Sequence, residues 1–273
     1  MFTLNCKGRL LVYDRPVVMG ILNVTPDSFY EGSRFGGISV LLEQAGRMLA
    51  EGAAMIDIGG QSTRPGSTRI DAAEETARVV SAIESLHFNF PELVISIDTY
   101  DAGVAVAAVR AGASVVNDIS GGLMDPEMIS TVAGLGVPYI CTHMQGRPET
   151  MHLAPDYDDV CKTVMDFFIE RMAHCKKAGI RDIILDPGFG FGKTIAHNFL
   201  ILQNLDLFNL LDRPLLLGVS RKGSIYRTLG VTAAEALNGT TVLNTIGLMK
   251  GASILRVHDV KEAVEAVKLV AHL

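Results

Sequence analysis

The chain has 273 residues, 48% of them hydrophobic, which is enough for one large core and points to a single domain over residues 1–273. A charged fraction of 20% and a formal net charge of −6 exclude a broad basic field for a nucleic-acid backbone or an anionic membrane surface, so an anionic ligand must meet local positive charge. No apolar run approaches the roughly 18 residues that span a bilayer, Met1 to Arg9 contain no signal-peptide apolar region, and Cys6, Cys141, Cys161 and Cys175 show neither a disulfide framework nor a zinc spacing; the expectation is a soluble, cytosolic protein with reduced thiols and no nucleic-acid or membrane partner.

In chain order, residues 3–6 and 9–12 flank Lys7-Gly8 and predict a small β-hairpin. Short Val-, Ile- and Leu-rich runs follow at 17–22, 55–58, 93–97, 115–116, 138–141, 182–185, 215–219 and 254–257. Such non-alternating runs suit strands covered on both faces of a parallel sheet. Between them lie stretches with one apolar stripe at helical spacing, such as Ile38, Leu41, Leu42, Ala45, Met48 and Leu49, or Thr76, Val79, Val80, Ile83 and Leu86. Asp71 with Glu74 predicts a capping box, and Asp125 before Pro126 predicts a second helix start. Gly52, Gly112, Gly136, Gly179 and Gly251 each fall just before a strand, where a left-handed residue closes the preceding helix. Helix, glycine, short turn and strand repeated in this way predict right-handed βα units that close at eight, giving an α/β fold of the (β/α)8 TIM-barrel type with the hairpin at its N-terminal end.

Active sites of such barrels lie at the C-terminal ends of the strands. There the sequence places Asn23, Asp57 with Gly59-Gly60, Asp98, Asn117-Asp118, His143, Asp186, Ser220-Arg221-Lys222, and Arg256 with His258. One Asp or Asn at a strand end commonly makes a turn; polar residues at all eight ends point to a ligand. Asp57 can either reach the site or brace the neighbouring loop. The segment Gly188-Phe-Gly-Phe-Gly-Lys193-Thr194 is near a phosphate-binding loop, but the motif's first glycine is replaced by Pro187, which has no N–H to donate. Its glycines are read instead as letting a loop pass close over a flat ligand. Cys141 near His143 is read as a packed thiol rather than a nucleophile, and Met144 as packing.

From about residue 16 to 270 the chain resembles the dihydropteroate synthases, through Met19-Gly-Ile-Leu-Asn-Val-Thr-Pro-Asp-Ser-Phe29, Asp57-Ile-Gly-Gly-Gln-Ser-Thr-Arg-Pro-Gly66, Ser96-Ile-Asp-Thr99, Asn117-Asp-Ile-Ser-Gly121, Asp186-Pro-Gly-Phe-Gly-Phe-Gly-Lys193, Ser220-Arg-Lys222 and Arg256-Val-His-Asp259. The resemblance implies that Asp98, Asn117, Asp186 and Lys222 bind the pterin edge, that Arg256 lies against the ring, and that Asn23, Thr63, Arg256 and His258 meet the diphosphate. It implies Mg²⁺ held through Asn23, with Glu31 as a second candidate contact, and p-aminobenzoate among Phe29, Thr63, Arg64, Pro65, Phe191, Ser220, Gly223 and Ser224. Catalysis would be electrostatic, carried by Asn23, Arg256, His258 and Lys222 as diphosphate departs before the amine adds, and the enzyme would be a homodimer. Three positions depart from the family pattern: Gln61 where Glu is frequent, Glu31 in a loop that often carries Asp, and Gly223 where many relatives have serine after the lysine. Two other readings are a methyltetrahydrofolate-binding methyltransferase barrel, which leaves the Asn23–Phe29 and Ser220–Lys222 motifs unexplained, and an inactive pterin-binding scaffold, which would not need this set of charges.

Overall fold

The computed structural model describes residues 1–24, 34–61 (backbone only for 34–36), 70–148, 150, 151, 153 and 155–273. The hairpin pairs β1 (Phe2–Cys6) with β2 (Arg9–Tyr13) antiparallel, Cys6 opposite Arg9. Its two-residue turn has Lys7 at φ 54° and Gly8 at φ 89°, the left-handed backbone that lets such a short loop follow the strand twist. Eight parallel strands follow: β3 (Val17–Asn23), β4 (Met55–Gly59), β5 (Val94–Asp98), β6 (Val115–Asp118), β7 (Tyr139–Thr142), β8 (Ile183–Asp186), β9 (Leu216–Leu217) and β10 (Ile254–Val257). Their order in the sheet is β8-β7-β6-β5-β4-β3-β10-β9, and a parallel bridge from Leu185 to Leu215 joins the two ends into a barrel. The predicted (β/α)8 architecture is the observed one. The run at 215–219 yields a strand of only two residues, because the chain turns at Val219, whose carbonyl accepts from Lys222 N–H at 3.1 Å.

Strand alternation divides the interior into two levels. At the lower level Met19, Met55, Val94, Val115, Ile140, Ile184, Leu216 and Ile254, one from each strand, form an apolar cluster with Leu4 and Cys6 of the hairpin. The hairpin therefore plugs the N-terminal end, tied by Asn5 N–H to Asp182 Oδ2 at 2.9 Å and by Lys7 Nζ to the Val109 carbonyl. Two residues further along the strands the inward positions become polar: Asp57, Ser96, Asn117, Thr142, Asp186 and Arg256. The residues between them, including Ile56, Ile95, Val116, Cys141, Leu185, Leu217 and Leu255, belong to the larger core under the helices. Both faces are thus buried at the strand starts, which is why the sequence reads there as an unbroken apolar run.

The outer layer comprises α1 (Arg34–Glu51), α2 (Ala72–Asn89), α3 (Ala102–Ala111), α4 (Met128–Leu135), α5 (Val160–Ala178), α6 (Ile195–Gln203) with a 3-10 turn at Leu205–Leu211, α7 (Gly223–Leu229), α8 (Leu237–Met249) and α9 (Val260–Val270). The five glycines expected to close helices all have positive φ, from 64° at Gly136 to 134° at Gly112. One predicted helix start is found, without its capping box, and the other is not. Asp71 does cap α2, accepting from Glu74 N–H at 2.8 Å, but the Glu74 carboxylate pairs with Arg78 instead of closing a capping box. Asp125 does not start α4; its carboxylate accepts from Ala102 N–H at 2.8 Å and Glu127 N–H at 2.9 Å, and the helix begins at Met128. Among the described residues no helix is long and apolar enough to cross a membrane.

Candidate active site

The upper level of the barrel is organised around Arg256. Its Nε donates to Asp57 Oδ2 at 2.6 Å and its Nη2 to Asp98 Oδ2 at 2.6 Å, while Asn117 Nδ2 donates to the same Asp57 oxygen at 2.9 Å. Asp57 therefore reaches the interior, where it orients Arg256 and Asn117. Burial alone would lower the Arg256 pKa, but the carboxylates of Asp57 and Asp98 outweigh it and hold the guanidinium charged. Burial pushes the Asp98 carboxyl up to about 7 against the opposing pull of Arg256. Asp57 Oδ1, Ser96 Oγ and Thr142 Oγ1 are buried without a hydrogen-bond partner among the described residues. Leaving such groups unpaired costs about 1–3 kcal/mol each, so this wall of the barrel suits a ligand or water with several hydrogen-bonding groups.

Two strands from Arg256, across β9, Asp186 ends β8 and turns into the glycine loop. Gly188 N–H donates to Asp186 Oδ1 at 2.8 Å, and Gly188 itself has φ 69°. Burial raises the Asp186 pKa, with Lys222 opposing. Lys222 Nζ donates to the Phe189 carbonyl and stands 4.6 Å from the centre of the Phe191 ring. Burial lowers the Lys222 pKa to about 8, with Asp186 the main opposing influence. Phe191 is half-buried and packs with Tyr100, Ile119, Met144 and Met151, so an apolar wall adjoins the polar centre.

The turn after β9 separates three adjacent side chains. Arg221, at φ 53°, faces away and grips Asp259 through Nε at 2.8 Å and Nη2 at 2.9 Å, a latch between the ends of β9 and β10. Ser220 Oγ lies 3.0 Å from His258 Nδ1 and accepts from His258 N–H at 3.2 Å, which joins the two residues at the exposed rim. Gly223 opens α7, and the Ser224 hydroxyl oxygen is buried and accepts from Asn198 Nδ2 at 3.1 Å. Asn23 is half-buried at the end of β3. The predicted contacts at Phe29, Glu31, Thr63, Arg64 and Pro65 lie outside the described residues. A cavity of about 250 Å³ opens beside the centre, lined by Ser120, Leu123, Met124, Met144, Gly146 and Arg147.

Three strand-end residues serve the scaffold. Asp118 accepts from Tyr139 Oη at 2.7 Å and from Ser120 and Gly122, fixing the loop after β6. Cys141 is fully buried in the outer core, where burial raises its thiol pKa well above the ordinary value, as its reading as packing requires. His143 is buried against Lys193. Sequence reasoning missed the Arg221–Asp259 latch and the unpaired Ser96 and Thr142; strand alternation from Val94 and Ile140 is the signal that could have found the latter two.

The sequence of residues 19–258 matches the family described as pterin binding enzymes. The chain is 44% identical over 266 residues to the dihydropteroate synthase of Escherichia coli (strain K12), covering 97% of this chain and 94% of that one. The chain belongs to the dihydropteroate synthase family. Its fold superimposes on the Yersinia pestis dihydropteroate synthase solved with a sulfonamide drug, with a TM-score of 0.91 at 42% identity and coverage of 99% of this chain and 98% of the other. The Xanthomonas albilineans dihydropteroate synthase solved with 4-aminobenzoic acid gives a TM-score of 0.91 at 40% identity, with 99% and 97% covered. In this barrel Arg256, Asp57, Asp98, Asn117, Asp186 and Lys222 bring charged and polar side chains to the C-terminal ends of the strands.

Proposed function

We propose that this centre holds the pterin of 6-hydroxymethyl-7,8-dihydropterin diphosphate while p-aminobenzoate is joined to it, giving 7,8-dihydropteroate and diphosphate. The chain is a transferase of folate biosynthesis, as its family membership over nearly its whole length supports. The observation that carries the reading is that Asp98, Asn117, Asp186, Lys222 and Arg256, from five elements, all stand at the C-terminal end of the barrel. A 2-amino-4-oxo pterin offers donors that Asp186 and Asp98 accept and acceptors that Lys222 and Asn117 serve. Arg256, fixed by two carboxylates, presents its planar face to the ring.

Asn23, Thr63, Arg256 and His258 receive the diphosphate, and its departure leaves a cation at the exocyclic methylene that the dihydropterin stabilises. The aminobenzoate amine then adds, aligned by Phe29, Thr63, Arg64, Pro65, Phe191, Ser220, Gly223 and Ser224. The work of the protein is alignment and charge stabilisation, without a nucleophile, which the buried Cys141 could not supply. Among the described residues no group of three or more His, Cys, Asp or Glu could hold a metal ion. Asn23 at the end of β3 offers one amide oxygen, which with Glu31, a further contact by family resemblance, would hold an Mg²⁺ that arrives with the substrate's phosphates. Bound there, Mg²⁺ supplies charge stabilisation for the leaving diphosphate.

The four free thiols support a cytoplasmic location. Val242, Ile246 and Met249 form an exposed apolar stripe along one face of α8, with Leu229 exposed at the end of α7, which supports a homodimer through this side of the barrel. Light scattering that returns the mass of one chain would remove the dimer. The reaction itself is tested by mixing the protein, Mg²⁺, the dihydropterin diphosphate and p-aminobenzoate. Dihydropteroate and diphosphate formed in equal amounts are expected; no product overturns the reading.

A further inference from the structure

We infer that Lys193 is a positioning residue for the pterin site, an internal tether that fixes the loop over residues 187–193 and, through it, Asp186, Phe191 and Lys222. The sequence places this lysine where a phosphate-binding loop would extend one outward, yet its side chain is buried and its amine turns back under the loop. Nζ lies 3.0 Å from the carbonyls of Gly188 and Phe191, 3.2 Å from the carbonyl of His143 and 2.8 Å from His143 Nδ1. All of these are acceptors among which the lysine nitrogen divides its N–H donors. Burial lowers the Lys193 pKa to about 7, with Asp186 the main opposing influence, so the fully charged tether is the form present below that pH. His143 fits the arrangement as a neutral ring, because burial and then the charge of Lys193 push its pKa down to about 2, leaving Nδ1 free to accept.

The same loop is gripped from other sides. Lys222 takes the Phe189 carbonyl, Tyr157 Oη donates to the Gly192 carbonyl at 2.8 Å, and Asn198 Oδ1 accepts from Gly190 N–H at 2.7 Å. Of the five consecutive carbonyls from Gly188 to Gly192, four, those of Gly188, Phe189, Phe191 and Gly192, are thus held by side chains. The loop lies directly on the end of β7: a Cβ at Gly188 would stand 1.8 Å from the His143 carbonyl, and one at Gly192 would stand 2.3 Å from the Gln145 carbonyl. Among the described residues Lys193 bonds both the loop and the residue after β7, so removing its amine frees the loop carbonyls of Gly188 and Phe191. Asp186, whose Oδ1 is held by Gly188 N–H, then loses its fixed direction.

This inference rests on the reading that Asp186 binds pterin, and the experiment separates the two. The affinity of 6-hydroxymethylpterin is measured by calorimetry, well below the unfolding temperature, for wild type, Lys193→Ala and Asp186→Asn. Lys193→Ala is expected to bind roughly ten- to a hundredfold more weakly, the usual scale for removing a group that orients a ligand-binding one. Methylammonium should restore affinity saturably by refilling the cage, whereas sodium at equal ionic strength should not. Lowered thermal stability with unchanged affinity would show a merely structural lysine and overturn the inference, as would weakened binding that methylammonium leaves untouched. Weak binding by Asp186→Asn beside unchanged Lys193→Ala would overturn only the tether; no binding by wild type would overturn both. Should Lys193→Ala not fold, wild-type protein labelled with ¹⁵N at lysine Nζ gives the answer. A slowly exchanging ammonium signal, assigned by its loss in Lys193→Arg, should move when pterin binds, and a signal that stays fixed contradicts the tether.

Discussion

The lower and upper levels of the barrel interior are made by the same eight strands, two residues apart, and they have opposite chemistry. Below, Met19, Met55, Val94, Val115, Ile140, Ile184, Leu216 and Ile254 meet the hairpin residues Leu4 and Cys6 in a sealed apolar layer. Above, Asp57, Asn117, Asp186 and Arg256 point into the same space, and three polar atoms there have no protein partner among the described residues. The lower level gains from excluding water, since a fully buried Leu or Met contributes about 1.5–3 kcal/mol. The upper level spends stability on buried charge that is useful only when a ligand completes it. Folding and binding are therefore separable along the barrel axis.

The largest effect should come from Arg256→Met, which leaves Asp57 and Asp98 as uncompensated buried carboxylates. Removing one partner of a buried ion pair costs about 3–5 kcal/mol, so this variant should lose both stability in urea melts and pterin affinity in calorimetry. It is the one upper-level change expected to blur the division. Met55→Ala, at a fully buried position of the lower level, should cost about 2–5 kcal/mol of stability through the cavity it leaves. Pterin affinity in the folded variant should stay within about twofold of wild type, within the scatter expected for distant sites; a large loss would mean that the two levels are mechanically coupled.

Asp186→Asn makes the converse test. Losing a charge-assisted pair of hydrogen bonds should cost about 2–4 kcal/mol of pterin binding, roughly thirty- to a thousandfold, with a much smaller change in unfolding free energy. The smallest effect expected is a pH dependence from Lys222. With its pKa at about 8, it is a cationic donor below that pH and loses the charge as pH rises through it. Pterin affinity should therefore fall on the alkaline side of 8, by at most about tenfold per pH unit for one proton. Lys222→Arg, which keeps its charge, should move that fall upward; an unchanged profile would assign it to another group.

The barrel was legible in the sequence because strands buried on both faces give short unbroken apolar runs, and glycines with positive φ mark where helices end. The polar ring was legible because Asn117, Asp186 and Arg256 follow those runs at strand ends. Partnerships were not. Asp57 and Arg256 are 199 residues apart and meet only because β10 and β4 flank β3 in the closed sheet. The direction of Lys193 was not legible either, and only the backbone path of residues 187–193 shows its amine turned inward. Asp125 carried a helix-start signal that the neighbouring α3 uses instead. Both loops bearing Phe29, Glu31, Thr63, Arg64 and Pro65 lie outside the described residues, so their roles rest on family resemblance.

The most direct test of the separation is the initial rate of dihydropteroate formation by Asp186→Asn and Met55→Ala, measured side by side at saturating Mg²⁺ and at a temperature where both variants are folded by circular dichroism. If the upper level is the site and the lower level its support, Asp186→Asn should lose at least about thirtyfold in kcat/KM while Met55→Ala stays near wild type. An active Asp186→Asn beside a folded but inactive Met55→Ala would contradict it.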